Sequence, residues 1–419
     1  MIIEKHKIRL LKEFYDLMAH TRTIRFNIVD NIFKNHSESS GPDVRPDVKI
    51  DARINVEKEQ ISSLENALFS LENIPCEGTK RILLLDTAKK IEVDLTYEIE
   101  ELKKDIFYLK NGEKKFFDYL ANIHSGFTEQ VEAGVKRLEG LDFNCFITDR
   151  DGTANNYCGR YRSLIQSVYN AVFITRFAKK RTKNPIIITS APLKEPGIVD
   201  VSVNPENAII YAASKGREFI DLNGSRRTYP IEENKQQLIN ELNKKLSDLL
   251  SESELEKFTL IGSGLQLKFG QTTIARQDIN GSIPEDESDN FLKFVQGIVA
   301  DIDPGGNNFR IEDTGLDIEI ILTIKNSKSE SRDFDKGDGV KYLDTELELS
   351  MSKGPHLICG DTGSDVPMLE AAIEQATDTW TIFVTQNRTL AERVSTTCSN
   401  SVIVPEPDML VGMLACLSR

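Results

Sequence analysis

One stretch, Phe143-Asn-Cys-Phe-Ile-Thr-Asp-Arg-Asp-Gly152, constrains the fold of this chain more than any other. Its apolar half is typical of a buried strand, and open ligand sites in α/β sheets form where strands end. The aspartates that follow, Asp149 and Asp151, suit phosphoryl transfer, because a carboxylate that attacks phosphorus needs a second carboxylate nearby to carry the proton. Asp-x-Asp-Gly is also a common surface turn. The preceding strand favours a site, and the rest of the chain has to decide.

After residue 143 the sequence alternates between strand and helix patterns, which is typical of a parallel sheet with right-handed crossovers. The run 186–190 is apolar until it ends in hydroxyls, as in a central strand buried on both faces. One crossover helix is predicted over 162–180. The predicted strands are 143–148, 185–189, 208–212, 356–359, 380–384 and 402–404.

The alternation is interrupted between about 220 and 325, where the sequence predicts a small α+β domain inserted into the sheet domain. We place the inserted domain at 221–325 and the two halves of the α/β core at 139–220 and 326–419. Residues 326–332 are polar and predict a loop or hinge. The elements predicted for the inserted domain are helices over 235–250 and 289–300 and strands over 264–269 and 316–321.

Residues 1–138 show helix patterns and almost no strand signal, which predicts an all-α bundle. Apolar stripes mark helices over 9–34, around 61–71 and over 116–138, and 35–46 reads as a polar loop. The clearest stripe is a heptad seam that needs a partner helix, within the chain or in a dimer. Such stripes are more typical of a core than of a partner-binding groove. The seam consists of Ala88, Ile91, Leu95, Ile99, Leu102, Ile106 and Leu109.

Composition excludes several classes of protein. The net charge of -14 argues against broad nucleic-acid binding, which needs a basic face. No stretch of about 18 apolar residues predicts a membrane span, and no apolar signal segment opens the chain. The six cysteines show no disulfide-like spacing, which favours a reducing compartment. We therefore expect a soluble cytoplasmic protein.

Further polar residues follow other predicted strands. Thr189 ends the second strand and can hold a phosphate oxygen, and Lys336 precedes a helix and can neutralise a nucleophile. Asp361 follows a third apolar strand, with Asp365 one turn later on the same face. Clustered carboxylates with few histidines select a hard cation, and Mg²⁺ is the one that keeps several waters. Each residue has a structural alternative, namely a satisfied hydroxyl, a surface lysine or a helix cap.

Together these motifs resemble those of the haloacid-dehalogenase-like phosphatases. The resembling segments are Asp149-Arg-Asp-Gly-Thr153, Thr189, Lys336-Gly337 and Gly360-Asp-Thr-Gly-Ser-Asp365. The resemblance implies a Rossmann-like core with a cap domain, an aspartyl-phosphate formed on Asp149, and Asp151 as acid and then base. It also implies that Thr189 and Lys336 hold the phosphoryl group. The implied metal set is Asp149, the Asp151 carbonyl and Asp361, with Asp365 supporting the metal waters or Lys336.

Within that superfamily, the inserted domain resembles the cap of the nematode-type trehalose-6-phosphate phosphatases. Tyr211-Ala-Ala-Ser-Lys-Gly-Arg-Glu-Phe219 resembles a family motif in which Lys215 replaces a histidine. Gln266-Leu-Lys268 resembles a glutamate-x-lysine motif, with glutamine replacing the acid. The family also has a helical amino-terminal domain similar to microtubule-interacting and transport domains. The substrate-binding residues implied by the resemblance are Gly216, Glu218, Gln266, Lys268, Arg276 and Glu319.

The strand patterns of the cap agree with this assignment. Gln266 and Lys268 share one face of a strand, and Asp317 and Glu319 share one face of another. A polar sheet face of this kind suits a hydroxyl-rich sugar, although a solvated face has the same pattern. We therefore expect trehalose 6-phosphate as the substrate. The alternatives are another sugar phosphate, such as sucrose phosphate, or a scaffold that acts through its helices and binds a protein partner or a second copy.

Overall fold

The computed structural model describes residues 2–38, 58–78, 80–85, 89–252, 254–325 and 331–419. Most of the predicted loop at 35–46 and of the predicted hinge at 326–332 lies outside these residues. No helix of the described residues is long and apolar enough to cross a membrane.

The amino-terminal region is mainly helical, as predicted, but it also contains a small antiparallel sheet that the sequence did not predict. Its strands pair in the order β1-β2-β3. The helices bury their apolar stripes in one cluster that continues into the α/β core. The elements are α1 (Leu11–Glu38), α2 (Lys58–Glu72), β1 (Cys76–Glu77), β2 (Lys80–Leu84), β3 (Lys90–Val93), α3 (Thr96–Ile123) and α4 (Phe127–Leu138).

Two details of the amino-terminal predictions were wrong. Ala88, the first residue of the predicted heptad seam, lies outside the described residues, and the next one, Ile91, lies in β3, since α3 starts only at Thr96. The buried residues of β3 are Ile91 and Val93. A strand with one buried face therefore accounts for the apolar residue at position 91 as well as a helical stripe does. The helix predicted over 116–138 is two helices, since a turn at Ser125 and Gly126 separates α3 from α4. The rest of the seam packs inside this chain, with Leu95, Leu102 and Leu109 buried.

The α/β core is a sheet of eight strands in the order β17-β16-β15-β4-β5-β6-β7-β8. The six strands predicted from sequence are all present and pair in parallel. Two further strands, which the sequence did not predict, extend one edge as an antiparallel hairpin. The first half of the core contains β4 (Phe143–Thr148), α5 (Val168–Arg181), β5 (Thr182–Ile188), α6 (Ile198–Val201), β6 (Ile210–Ala213), β7 (Glu218–Ile220) and β8 (Arg226–Thr228).

The cap follows β8, so the boundary predicted at 221 is too early. Its sheet has the order β11-β12-β10-β9, and its two long helices bury apolar residues against one face of that sheet. A short antiparallel pair, β13 and β14, leads back to the core. The elements are α7 (Glu233–Leu250), α8 (Lys257–Leu260), β9 (Leu265–Lys268), β10 (Gln271–Ala275), α9 (Glu285–Ile302), β11 (Phe309–Asp313), β12 (Asp317–Leu322), β13 (Ile324–Lys325) and β14 (Ser331–Arg332).

The second half of the core completes the sheet and covers both of its faces. One face of the sheet packs against α5, the last helix and the amino-terminal region. The other face packs against the three helices that come directly after the cap. This burial on both faces explains why the strands are apolar throughout. The elements are α10 (Lys336–Leu347), β15 (His356–Gly360), α11 (Val366–Gln375), β16 (Thr379–Val384), α12 (Arg388–Thr397), β17 (Ser401–Val404) and α13 (Pro407–Leu417).

Candidate active site

The carboxyl ends of three neighbouring strands meet below the cap. β4 lies between β5 and β15, and Thr148 is in register with both Ile187 and Cys359. The residues that follow these strand ends, Asp149, Thr189 and Asp361, therefore reach one cleft. The strand-end placement predicted from sequence brings these three residues together.

Lys336 lies between two carboxylates of this cleft. Its Nζ is 2.6 Å from Asp149 Oδ1 and 2.5 Å from Asp365 Oδ1, and all three side chains are buried. Burial lowers the pKa of Lys336, but the two carboxylates outweigh burial and raise it above its usual value. A capping box between Asp335 and Asp338 fixes the first turn of α10. Lys336 is therefore held in its charged form at a fixed place.

Asp365 has both carboxylate oxygens occupied by the protein. Oδ1 pairs with Lys336, and Oδ2 accepts hydrogen bonds from the amides of Asp361 and Thr362 and from the Thr362 hydroxyl. Burial raises the pKa of Asp365, but Lys336 and these hydrogen bonds lower it overall. Of the two roles that the resemblance implies for Asp365, support of the metal waters or of Lys336, these contacts match the support of Lys336.

Asp361 approaches the main chain of the opening motif closely. A Cβ at Gly152 would lie 2.3 Å from Asp361 Oδ2, so only glycine leaves room for this carboxylate. Thr153 Oγ1 donates a hydrogen bond of 2.7 Å to Asp361 Oδ1. Burial and the neighbouring Asp365 raise the pKa of Asp361 to about 6. Carboxylate oxygens of Asp149, Asp361 and Asp365 all lie within 4.8 Å of one another.

Asp151 lines the same cleft, but its side chain is paired with Arg150. Its carboxylate is not one of the three that face one another, so the metal role predicted for Asp151 remains with its main-chain carbonyl. Thr189 Oγ1 accepts a hydrogen bond of 3.2 Å from the amide of Ala191, which leaves its proton available to a ligand.

The cap covers this cleft with the polar face of its sheet. Gln266 and Glu319 flank Thr273 in register, and all three line the cleft together with Lys268 and Asp317. Lys268 Nζ donates a hydrogen bond of 2.8 Å to Thr273 Oγ1. Burial lowers the pKa of Lys268 to about 8, although the carboxylate of Glu319 acts in the opposite direction. The predicted cap residues Gln266, Lys268 and Glu319 therefore face the aspartates.

Three predicted substrate contacts lie elsewhere. Gly216 packs against α10, where a Cβ would lie 2.6 Å from the Cα of Gly339. Glu218 is buried on β7 and binds Ser214, the Leu193 amide and Arg226. Arg276 pairs with Asp313 and Asp289 inside the cap. None of the three lines the cleft.

Four residues in or next to the cleft had no predicted role. Tyr161 and Ser263 line the cleft, whereas Thr153 and Arg150 bind the lining residues Asp361 and Asp151. Only Thr153, which follows the opening glycine directly, could have been suspected from its position. Tyr161 is buried against the cleft, and its hydroxyl has no hydrogen-bond partner among the described residues. A buried, unpaired hydroxyl of this kind is available to a ligand.

The comparison with known families agrees with this geometry. The family model for the carboxyl-terminal part of trehalose-6-phosphate phosphatase matches residues 146–410, which span the core and the cap. The chain belongs to the trehalose-6-phosphate phosphatase family. A second model, for the family's amino-terminal helical bundle domain, matches residues 49–127. The family resemblance predicted from the motifs is thereby confirmed.

The similar proteins from this family include trehalose-phosphatases and trehalose-phosphate synthases. A trehalose-phosphatase of Brugia malayi is 30% identical over 80% of this chain and 74% of its own. A trehalose-phosphatase of Caenorhabditis elegans is 34% identical over 60% of this chain and 57% of its own. An alpha,alpha-trehalose-phosphate synthase of Caenorhabditis briggsae is 32% identical over 99% of this chain. The chain spans only 31% of the length of that synthase.

Proposed function

We propose that the protein is a Mg²⁺-dependent phosphatase that hydrolyses trehalose 6-phosphate to trehalose and phosphate. The observation that carries the proposal is the position of Lys336 between Asp149 and Asp365, at the strand ends and under a polar cap face. A buried carboxylate with an adjacent ammonium group suits attack on phosphorus. Membership of the family supports trehalose 6-phosphate as the substrate.

The residues present fit a magnesium ion. Three buried or half-buried carboxylates face one another with one ammonium group between them, so the cluster has an excess of negative charge. Because Gly152 has no side chain, it allows Asp361 to approach the main chain closely. Asp149, Asp361 and the carbonyl of Asp151 would hold the ion, and all are oxygen donors of the kind that Mg²⁺ prefers. When bound, the ion supplies positive charge that stabilises the phosphoryl oxygens.

In the first step, a carboxylate oxygen of Asp149 forms a bond to phosphorus while the bond from phosphorus to the sugar oxygen breaks. Asp151 gives its proton to that oxygen, so trehalose leaves as a neutral alcohol. Lys336 and the hydroxyl of Thr189 stabilise the charge on the transferred group. The product of this step is an aspartyl phosphate on Asp149.

In the second step, water attacks the phosphorus of the aspartyl phosphate and passes a proton to Asp151. The bond between phosphorus and Asp149 breaks, which releases phosphate and restores both aspartates. The ion pair with Arg150 holds the Asp151 carboxylate in place for this step. Arg150 thus fixes the group that serves as acid and then as base.

The cap residues would recognise the sugar. Glu319 and Gln266 offer acceptors, and Lys268 and Thr273 offer donors, which is the mixture that sugar hydroxyls need. The side chain of Glu319 has no hydrogen bond or ion pair within the part of the chain that the structure describes, so its carboxylate is available to a ligand. The six unpaired cysteines support the further proposal of a reducing, cytosolic compartment.

Phosphate release from trehalose 6-phosphate, with and without Mg²⁺, tests the proposal. We expect turnover with the ion, and we expect Asp149→Asn to lower kcat by about 10⁴-fold or more. Undiminished activity in that variant would refute the mechanism. Sucrose phosphate and other sugar phosphates form the comparison panel, because specificity is a ratio of kcat/KM values. A higher kcat/KM for another member of the panel would change the proposed substrate but leave the proposed reaction unchanged.

A further inference from the structure

A segment of the core next to the opening motif is held by the amino-terminal domain. This segment, residues 155–168, contributes Tyr157, Gly159, Tyr161 and Leu164 to the wall of the cleft. It has little regular structure apart from one short helical turn at Tyr161–Ser163. Its conformation therefore depends on side chains from outside the segment.

Glu98 of α3 supplies one set of these contacts and is fully buried. Its carboxylate oxygens lie 3.0 and 3.1 Å from Arg160 Nη2, and Oε1 accepts a hydrogen bond of 2.6 Å from Ser163 Oγ. Arg160 is also buried, so the pair is shielded from solvent. A buried, hydrogen-bonded ion pair fixes geometry far more firmly than an exposed one.

Other residues of the amino-terminal domain hold the rest of the segment. Asp105 Oδ1 accepts a hydrogen bond of 2.7 Å from the amide of Val168, where α5 begins. Glu101 Oε1 accepts one of 3.0 Å from Asn156 Nδ2. The carbonyl of Ile165 accepts hydrogen bonds from Arg25 Nη1 and from the hydroxyl of Tyr97. Contacts from α1 and α3 thus span the segment from one end to the other.

The segment in turn holds Arg150. Arg150 Nη2 donates a hydrogen bond of 2.5 Å to the carbonyl of Leu164, and Nη1 pairs with Asp151. The side chain of Arg150 is buried, so it has few alternative orientations. Glu98 fixes the turn at 160–163, the turn places the Leu164 carbonyl, and that carbonyl places Arg150 against Asp151.

We infer that the amino-terminal helical domain is a working part of the catalytic site, with Glu98 and Arg150 as positioning residues for Asp151. This inference rests on the proposed function, because Asp151 matters as the acid for a sugar leaving group. A poor leaving group such as a sugar alkoxide needs a well-placed proton donor, whereas p-nitrophenolate needs little protonation. In the first step, displacement of Asp151 therefore slows the sugar phosphate more than p-nitrophenyl phosphate. The ratio kcat/KM isolates this step, because hydrolysis of the aspartyl phosphate is common to both substrates.

The experiment compares kcat/KM for trehalose 6-phosphate with kcat/KM for p-nitrophenyl phosphate in variants of the whole chain. The test variants are Glu98→Gln and Arg150→Ala. The matched control is Glu113→Gln, because Glu113 is also on α3 and also pairs with a core arginine, Arg176. The remaining partner of Glu113 is Arg419, so neither contact touches the segment.

We expect both test variants to lower kcat/KM for the sugar phosphate by at least about tenfold, and to lower kcat/KM for p-nitrophenyl phosphate by less than about threefold. The control should leave the ratio of the two kcat/KM values unchanged. Equal losses on both substrates, no loss, or a rise in kcat/KM for the sugar phosphate would each overturn the inference. A wild-type chain that cleaves only p-nitrophenyl phosphate would instead contradict the proposed function.

Hydrogen exchange gives a readout that does not depend on turnover. Glu98→Gln should speed amide exchange within residues 155–168 relative to wild type, and Glu113→Gln should not. If Glu98→Gln does not fold, Ser163→Ala replaces it, since it removes the 2.6 Å hydrogen bond to Glu98 and otherwise only longer contacts within the segment itself. Unchanged exchange in the segment, with either variant folded, would overturn the inference.

Discussion

The cleft is formed by two surfaces that differ in how their polar groups are satisfied. On the core side, Lys336, Asp365, Asp361 and Thr153 bind one another through short hydrogen bonds and ion pairs. On the cap side, Lys268 binds Thr273 and Gln266 makes a hydrogen bond of 3.3 Å to a carbonyl. These core groups already have hydrogen-bond or ion-pair partners in the protein without a ligand, whereas several polar groups of the cap do not.

This difference indicates how the two surfaces divide the work. A charged network that is already assembled does not have to reorganise during phosphoryl transfer, which suits catalysis. Polar groups with few partners lose little when a ligand binds them, which suits recognition. Substitutions in this charged network should therefore reduce kcat for every phosphate ester, whereas substitutions in the cap should act selectively on the sugar.

The largest effect is expected for Lys336→Met. Loss of the ammonium group removes charge stabilisation of the transferred group, so kcat should fall by about 10²–10³-fold for all esters. It also leaves Asp149 and Asp365 without their buried counter-charge, which should cost about 3–5 kcal/mol of unfolding free energy. Steady-state kinetics and urea denaturation measure the two effects. Lys341→Met, on the exposed face of α10, is the control, and equal losses there would contradict the prediction.

A smaller, selective effect is expected for Glu319→Ala in the cap. Loss of a charged acceptor for the sugar should cost about 1.5–3 kcal/mol of binding, or about 10- to 100-fold in kcat/KM for trehalose 6-phosphate. Hydrolysis of p-nitrophenyl phosphate should be nearly unchanged. Glu312 is opposite Glu319 in the cap sheet but exposed, so Glu312→Ala is the matched control. A similar loss on both substrates would show that Glu319 acts on the core and not on the sugar.

The pH dependence of kcat/KM should reflect Lys268, whose pKa is lowered to about 8 by burial. The ammonium form predominates below that pH and attracts the phosphate ester, and it is lost as the pH rises through 8. We expect kcat/KM for trehalose 6-phosphate to fall by up to about tenfold between pH 7 and 9. Glu319, Asp317 and Lys215 are the charged groups that influence Lys268. Lys268→Met should flatten this limb, and an unchanged limb in that variant would refute the assignment.

The smallest effect is expected for Arg276→Gln. The sequence resemblance makes Arg276 a substrate contact, but its partners are Asp313, Asp289 and Ser288 within the cap. The carboxylate partners Asp289 and Asp313 are exposed, so these pairs should contribute about 1 kcal/mol or less to stability. We expect KM to change by less than about twofold. A tenfold rise in KM would mean that Arg276 reaches the substrate and that the comparison of the two surfaces is incomplete.

The core could be predicted because its signals are local and redundant. An apolar strand buried on both faces can be recognised from its own residues, and Asp149, Thr189 and Asp361 each follow such a strand. Parallel strands then bring those residues to one edge of the sheet. The position of Lys336 at the start of a helix was equally local. The prediction of these residues depended on strand ends and not on any long-range contact.

The remaining features depend on packing that no local pattern reveals. Gly216 and Glu218 lie in a motif shared with the family, but they pack core elements together and do not reach the cleft. Glu98 and Glu101 lie on what the sequence presents as the polar side of α3, and both are buried against the core. The position of Ile91 among the apolar residues fits the spacing of a helix and that of a strand equally well. In each case the partner that decides the role is distant in sequence.

The insertion of the cap between the two halves of the core sheet has a consequence for how the protein folds as it is made. Asp149 and Asp361 become neighbours only when β4 pairs with β15, whose paired residues Thr148 and Cys359 are separated by about two hundred residues of chain. At ordinary rates of synthesis, about 5–20 residues per second, Asp149 is made many seconds before Lys336 and Asp361. Until then its strand lacks the neighbour that covers its free edge. Activity therefore appears only when the last half of the sheet has docked, which makes turnover a direct reporter of complete folding.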